Sequence, residues 1–237
     1  MAAEIHTIRL RLSNAFLVLG DKPVLVDAGS PGEAGRILDF AARHGVEPHD
    51  IALIVATHGH ADHVGAAAEL HRLTRAPIAA HVGDKAMIAA GRMSNLHPVR
   101  PRHRMLLPLV DKPFEPFEIN TPLSEGMSLG PWGVSARVIE TPGHSAGSVT
   151  LVLDNGDAIA GDVLIGGFLG GLLQPTRPRL PYFAEDLPQL YDSIDRVLAE
   201  ATRTLYVGHG GPLDHPGVLK WRLPYRPLVR AAAGQPG

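Results

Sequence analysis

Residues 51–56, IALIVA, form an unbroken apolar run that stops abruptly at Thr57-His58-Gly59-His60-Ala61-Asp62-His63. An apolar run of this length suits a strand covered on both faces, as in a sheet with layers on either side. Directly after it, four side chains of metal-ligand type, His58, His60, Asp62 and His63, fall within six positions. A strand end is rigid, and a tight loop can fan closely spaced side chains toward one point. Gly59 and Ala61 are small enough not to obstruct that turn. An isolated His-x-His is usually a solvated turn, here with Asp62 capping the next helix; the density of this cluster favours the metal reading.

The same arrangement recurs three times. Thr141-Pro142-Gly143-His144 follows an expected strand at 133–139. Ala160-Gly161-Asp162 closes one at 157–161, and Val207-Gly208-His209-Gly210 follows one at 204–208. Strand ends are where open sheets gather their sites. Singly, His144 could be a turn residue, Asp162 a cap and His209 a loop residue. Taken together they extend the candidate metal ligands to His58, His60, Asp62, His63, His144, Asp162 and His209. Imidazole and carboxylate donors suit zinc, and also iron, manganese or nickel. The chain has no cysteine, which excludes disulfides, thiolate ligands and a Cys nucleophile.

Between these points the pattern alternates strands and helices. Ile8, Leu10 and Leu12 alternate with polar residues as in a half-buried strand, and strands are expected at 14–19 and 23–27. Ser30-Pro31-Gly32-Glu33 reads as a capping box that opens a helix ended by Gly45. A helix is expected from the histidine loop to about Arg75, then a strand at 77–81 and a short helix from Asp84. A strand at 148–153 turns through Asn155-Gly156 into 157–161. Residues 92–125, with six prolines from Pro98 to Pro122, read as an extended insertion with little regular structure. Residues 166–181 read as a second Gly/Pro-rich loop, 187–198 as an amphipathic helix, and the C-terminal tail as frayed. Two mixed sheets with helices outside account for this order better than one doubly wound sheet.

The 237 residues fit a single domain spanning 1–237, with 45% hydrophobic residues for its core. Lys+Arg number 22 against Asp+Glu 24, a balance that argues against broad nucleic-acid binding. No export signal and no stretch able to span a bilayer is visible, so a soluble cytoplasmic protein is expected.

With its motifs assembled, the chain resembles the metallo-β-lactamase superfamily, whose signature is His-x-His-x-Asp-His followed by a distal His, Asp and His. The resemblance covers about residues 5–215. It implies an α/β fold, an αββα sandwich of two mixed β-sheets with helices on the outer faces. In that family the residues matching His58, His60 and His144 hold one metal, those matching Asp62, His63 and His209 hold the second, and the residue matching Asp162 bridges both. Leu25-Val26-Asp27-Ala28-Gly29 also resembles a family motif, which makes Asp27 a candidate to orient a ligand from behind the metal loop; alternatively it is a turn carboxylate before Gly29.

The resemblance implies a dinuclear metallo-hydrolase with two divalent ions, zinc first, iron or manganese otherwise. Two ions about 3.5–4 Å apart can share a water, and zinc lowers the pKa of bound water to about 7. A bridging hydroxide is therefore the expected nucleophile, with Asp62 as the catalytic residue that orients it and shuttles a proton. The expected target is an ester, thioester, lactone or β-lactam bond in a small molecule. Alternatives are a phosphodiesterase or nuclease of the same fold, or a non-catalytic metal-binding module. The spacing is nearest the glyoxalase II-like branch, but after Asp162 the chain reads Val-Leu-Ile-Gly-Gly-Phe-Leu, without that branch's glutathione-binding Lys and Tyr. Few residues follow His209 to make its helical substrate-binding domain. A smaller thioester or ester is therefore favoured over a glutathione conjugate. The lack of a Cys ligand resembles the β-lactamase subclass with histidine-only first sites.

Arg179, Tyr182 and His103 are candidates to meet substrate, or ordinary surface and packing residues. Ser145 and Ser148 read as turn and strand-start residues rather than nucleophiles. Met105, Leu106 and Leu107 are placed to cover an apolar substrate or a partner subunit, or to pack in the core. A homodimer is allowed for, and neither nucleic acid nor a membrane is expected as a partner.

Overall fold

The computed structural model describes residues 3–93 and 96–225. Six strands form the first sheet in sequential order: β1 (Glu4–Arg9), β2 (Asn14–Leu19), β3 (Pro23–Val26), β4 (Leu53–Val55), β5 (Ile78–His81) and β6 (Thr121–Leu123). The first two pairings are antiparallel and the remaining three parallel. Strands β7 (Ala136–Glu140), β8 (Val149–Leu153), β9 (Ala158–Ile159), β12 (Thr204–Tyr206) and β13 (Leu213–Asp214) form the second, in the order β13-β12-β9-β8-β7. Between β9 and β12 a separate two-stranded ribbon, β10 (Ile165–Phe168) with β11 (Leu173–Arg179), folds back on itself.

Alternation along the strands sorts side chains into three apolar layers. Val24 and Val26 of β3, with Leu53 and Val55 of β4, face the second sheet, where Val149, Leu151 and Leu153 of β8 meet them. The intervening Leu25 and Ile54 face outward to Ile37 of α1 (Ala34–Arg43) and Leu70 of α3 (Ala67–Thr74). On the far side, Val152 packs with Leu190, Ile194 and Val197 of α6 (Leu187–Glu200). The central strands β3 and β4 are therefore apolar on both faces, which is why the run at 51–56 carries no polar residue. Burying one such Val, Leu or Ile contributes roughly 1.5–3 kcal/mol. The result is the αββα sandwich expected from the sequence.

Several boundaries differ from expectation. The stretch from Ser30 turns before it coils: Glu33 Oε2 accepts from the Ser30 amide at 2.8 Å, and α1 starts only at Ala34. The helix after the histidine loop breaks at Gly65-Ala66 into α2 (Ala61–Val64) and α3. β1 ends at Arg9, because the Leu10 amide turns to donate to the Ser13 carbonyl. The insertion is more ordered than its prolines imply. It holds a 3-10 stretch at Pro101–Leu106, helix α5 (Leu107–Val110) and β6, and Phe114 is buried in the core. The loop at 166–181 is mostly the β10–β11 ribbon, whose prolines are tolerated because no sheet continues beyond it. After β13 the chain forms α7 (His215–Arg222), capped by Asp214; the frayed tail expected beyond residue 225 lies outside the described residues. No helix among the described residues is long and apolar enough to cross a membrane.

Candidate metal centre

Strand register brings the distant motifs to one edge. β3 and β4 run parallel with Val26 opposite Val55, so Asp27 and Thr57 leave the sheet side by side. The Thr57 amide donates to Asp27 Oδ1 at 2.8 Å. In the second sheet, β9 and β12 are parallel with Ile159 opposite Tyr206. Asp162 and His209 each stand three positions beyond that pair, and reach the same edge. β7 ends at this edge too, because β7, β8 and β9 alternate in direction; its connection to β8 carries His144. The Val149 amide donates to the Thr57 carbonyl at 2.9 Å and ties the two sheets together there.

The seven residues singled out in the sequence meet at this edge. Their donor atoms fall into three groups, His58–His60–His144, His58–His63–Asp162 and Asp62–His63–His209, with all atoms of a group within 4.8 Å of one another. Asp162 Oδ2 lies 3.1 Å from His209 Nε2 and 3.6 Å from His144 Nε2, so one carboxylate touches two of the clusters. His63 Nε2 is 3.5 Å from His209 Nε2, and Asp62 Oδ2 is 3.3 Å from His209 Nε2. Gly208 has room only for hydrogen: a Cβ there would run into Asp162 Oδ1 and the His63 ring.

Each imidazole outside the His60 position is held from behind. His63 Nδ1 donates to Asp27 Oδ2 at 2.8 Å, and His144 Nδ1 to the Phe183 carbonyl at 2.9 Å. His209 Nδ1 donates to the Leu12 carbonyl at 2.6 Å, and His58 Nδ1 pairs with Thr57 Oγ1 at 3.1 Å. These bonds turn the Nε2 atoms of His63, His144 and His209 inward as acceptors for a cation. Three buried polar atoms in the cluster have no hydrogen-bond partner: His58 Nε2, His60 Nε2 and Asp162 Oδ1. Buried polar atoms are nearly always satisfied, so orphaned donors of this chemistry fit a divalent cation.

Protonation divides the cluster. Burial, reinforced by neighbouring imidazoles, holds His58 well below its ordinary value and His60 down to about 3. Burial also lowers His144, against the pull of Asp162. For His63 burial pulls down too, but Asp162, Asp62 and Asp27 outweigh it and push the group up to about 9. His209 is raised well above its usual range against burial, by Asp162 and Asp62. Burial works to raise Asp62 and Asp162, yet the His63 and His209 charges keep both well below the usual carboxylate range. One side of the site is thus three neutral imidazoles and the other an ion-paired pocket, with a positive charge where the second histidine–aspartate group gathers.

Three supporting residues carry no signal in the sequence. Asp84, buried at the start of α4 (Lys85–Ala90), accepts from the Gly59 amide at 2.7 Å, the Gly147 amide at 2.7 Å and Ser145 Oγ at 2.8 Å. It clamps the loop holding His58 and His60 to the loop holding His144. Asn14 Nδ2 donates to the Val207 and Gly210 carbonyls, both at 2.8 Å, and brackets His209. Ser13 Oγ donates to the Asp62 carbonyl. Ser145 and Ser148 bond to one another in a buried turn and Ser145 to Asp84, with no histidine base among these partners.

Above the site lies a cavity of about 460 Å³, with His60, Asp62, His144, Asp162 and His209 in its floor. Tyr182 and Leu106 line it, but His103 and Arg179 do not. His103 is spent on the Tyr182 carbonyl at 2.9 Å, and Arg179 lies over the Phe168 ring at 3.6 Å. Leu10 and Leu12, expected in a strand, are instead wall residues. The tip of the β10–β11 ribbon forms another wall and rests directly on the His209 loop. A Cβ at Gly171 would strike the Gly210 backbone.

The family model of the metallo-beta-lactamase superfamily matches residues 8–209. The chain belongs to this superfamily. It is 28% identical over 241 residues to the probable metallo-hydrolase YflN of Bacillus subtilis, covering 90% of this chain and 86% of that protein. A hydroxyacylglutathione hydrolase of Rhodopseudomonas palustris is 31% identical over 215 residues, covering 88% of this chain and 67% of that one. Among solved structures, TTHA1623 in a di-iron-bound form superposes with a TM-score of 0.64 at 26% identity, over 92% of this chain and 97% of that one. The superfamily member described here is accordingly a metallo-hydrolase, with a histidine–aspartate cluster able to bind metal.

Proposed function

We propose that the chain hydrolyses ester, thioester, lactone or β-lactam type bonds in small molecules, using two divalent ions, zinc by preference of the donor set. The observation that carries this reading is the set of three overlapping donor groups, in which the buried atoms His58 Nε2, His60 Nε2 and Asp162 Oδ1 lack a hydrogen-bond partner among the described residues. His58, His60 and His144 would hold one ion, Asp62, His63 and His209 the other, and Asp162 would serve both. Nitrogen and oxygen ligation without thiolate suits zinc or iron, and the di-iron-bound relative keeps iron as the competitor. When bound, the ions supply an acidified water and a Lewis acid for the electrophilic carbonyl.

The chain's own residues do the remainder. Asp62, held ionised by its histidine neighbours, accepts a hydrogen bond from the attacking water, orients it and takes its proton at Oδ1, leaving Oδ2 with the His63 and His209 donors. That proton passes to the departing oxygen, nitrogen or sulfur as its bond to the acyl carbon breaks. The acid product leaves as carboxylate with release of the second water proton. The apolar walls exclude bulk water, which strengthens every charge interaction at the floor.

Metal content and hydrolysis of p-nitrophenyl acetate, measured before and after chelation and zinc or iron reloading, test the proposal. Activity should vanish with the metal and return on reloading. His60→Ala should lower metal stoichiometry and abolish turnover; a folded His60→Ala protein with full activity would refute the assignment.

A further inference from the structure

From the walls above the metal centre we infer that the substrate carries an extended aliphatic chain on its acyl side. The inference rests on the hydrolase reading above and narrows its substrate class. Leu10, Leu12, Leu106, Leu109, Leu169 and Leu172 line the cavity. They come from three separate segments: the β1–β2 turn, the insertion and the ribbon tip. Among the described residues, the charged lining outside the histidine–aspartate floor is Arg9 and Arg11. Arg9 is engaged with the Gly211 carbonyl at 3.3 Å. Among the described residues no carboxylate stands in the walls, which are mostly leucine and other apolar side chains. An anionic group such as glutathione would meet Arg11 but otherwise face mostly leucine, whereas a hydrocarbon chain would bury against leucine over most of the wall.

The mouth extends the same surface. Among the described residues, Leu109, Leu169 and Leu172 are 54%, 64% and 82% exposed, with Met105 and Leu173 exposed beside them. Exposed apolar residues gathered on two segments around one opening mark a binding surface rather than scatter. The ribbon holds its leucines there against backbone preference. Leu169 sits at φ +51°, a left-handed conformation that a branched side chain adopts at a cost. Its amide donates to Tyr182 Oη at 3.0 Å, which helps hold it there. The contact of Gly171 with Gly210 fixes the same tip over the floor. A chain with its carbonyl at the floor would therefore run outward between the ribbon tip and α5.

A series of p-nitrophenyl esters from acetate to octanoate, assayed on zinc-loaded protein, provides the test. The expected result is a kcat/KM that rises about two- to four-fold per added methylene until the walls are covered. Calorimetry on metal-free protein should show decanoate binding where acetate does not. In the double variant Leu169→Asn, Leu172→Gln, asparagine accepts the left-handed backbone and both positions are exposed, so folding is spared. Its octanoate-to-acetate ratio should fall at least about tenfold, with metal content as in the parent. Leu73→Gln, exposed on α3 away from the cavity, should leave the ratio as it is. A flat or falling chain-length profile on active enzyme overturns the inference, as does decanoate binding no tighter than acetate. So does concentration-dependent self-association through the leucines with no length dependence. Absence of all ester hydrolysis at full metal content would instead sink the hydrolase reading, and decanoate binding would then still report on the walls.

Discussion

Asp27 Oδ2 accepts the Nδ1 proton of His63 at 2.8 Å, with both side chains fully buried. The carboxylate also accepts from the Thr57 amide and hydroxyl, so it is fixed on two sides before it fixes the imidazole. Asp27 itself stands at φ +63°, a conformation in which aspartate is enriched among non-glycine residues. Asp27→Asn keeps the volume but removes the charge that fixes the His63 tautomer. Metal affinity should fall about 10- to 100-fold, read by competition with a chromophoric chelator, and an unchanged affinity would mean Asp27 serves folding alone.

Asp84 acts on the metal centre through its loops. Asp84→Ala strands the Gly59 and Gly147 amides in the interior, at about 1–3 kcal/mol for each unsatisfied group, and leaves the Ser145 hydroxyl only its Ser148 partner. Thermal unfolding should move down by many degrees, and Asp84→Asn, which keeps one accepting oxygen, should lie between the two. A melting temperature equal to the parent's in Asp84→Ala would show that the clamp carries no load.

The metal-free protein should be most stable in a window bounded by two sets of histidines. His63, raised from 6.5 to about 9, binds its proton more tightly folded than unfolded. Its stabilisation is complete below pH 6.5 and lost as pH rises through about 9. His60, lowered to about 3, stays neutral in the fold while the unfolded chain protonates. Stability is therefore lost as pH falls from 6.5 toward 3, and His58 and His144 act in the same sense. Denaturant unfolding of chelator-treated protein across pH 5 to 10 should give a maximum between these limits. A steady rise through pH 10 would contradict the ion-paired state of His63.

Replacing residues 101–110 by a short Gly/Ser link should change substrate preference more than metal content. That segment supplies Leu106, Leu109 and Val110 to the cavity but no metal-ligand candidate. The link must stop before Phe114, which is buried, and before β6, which pairs with β5. Metal analysis beside the ester series checks this, and a loss of metal would make the segment structural.

The convergence of the seven candidate residues was legible because one local pattern, a strand end followed by glycine and a ligand-type side chain, repeats along the chain. Its supports were not. Asp84 reaches Ser145 across 61 positions and Asn14 reaches Val207 across 193, and nothing local distinguishes either residue from a surface aspartate or asparagine. The three-layer packing could be read from apolar runs that stay apolar at every position. The ribbon at 165–179 could not, since it has no second layer to enforce alternation and its Pro175 and Pro178 read as loop. Leu10 and Leu12 show the reverse error: their alternation is real, but it serves a cavity wall rather than a sheet face.

The seat of Gly171 on Gly210 has a consequence for how this enzyme can diversify. Most of its cavity wall is encoded apart from the candidate ligands. Here the two are in direct backbone contact, one residue from His209. Any side chain acquired at position 171 to reshape selectivity would lever the distal histidine, so new preferences have to arise elsewhere along the rim.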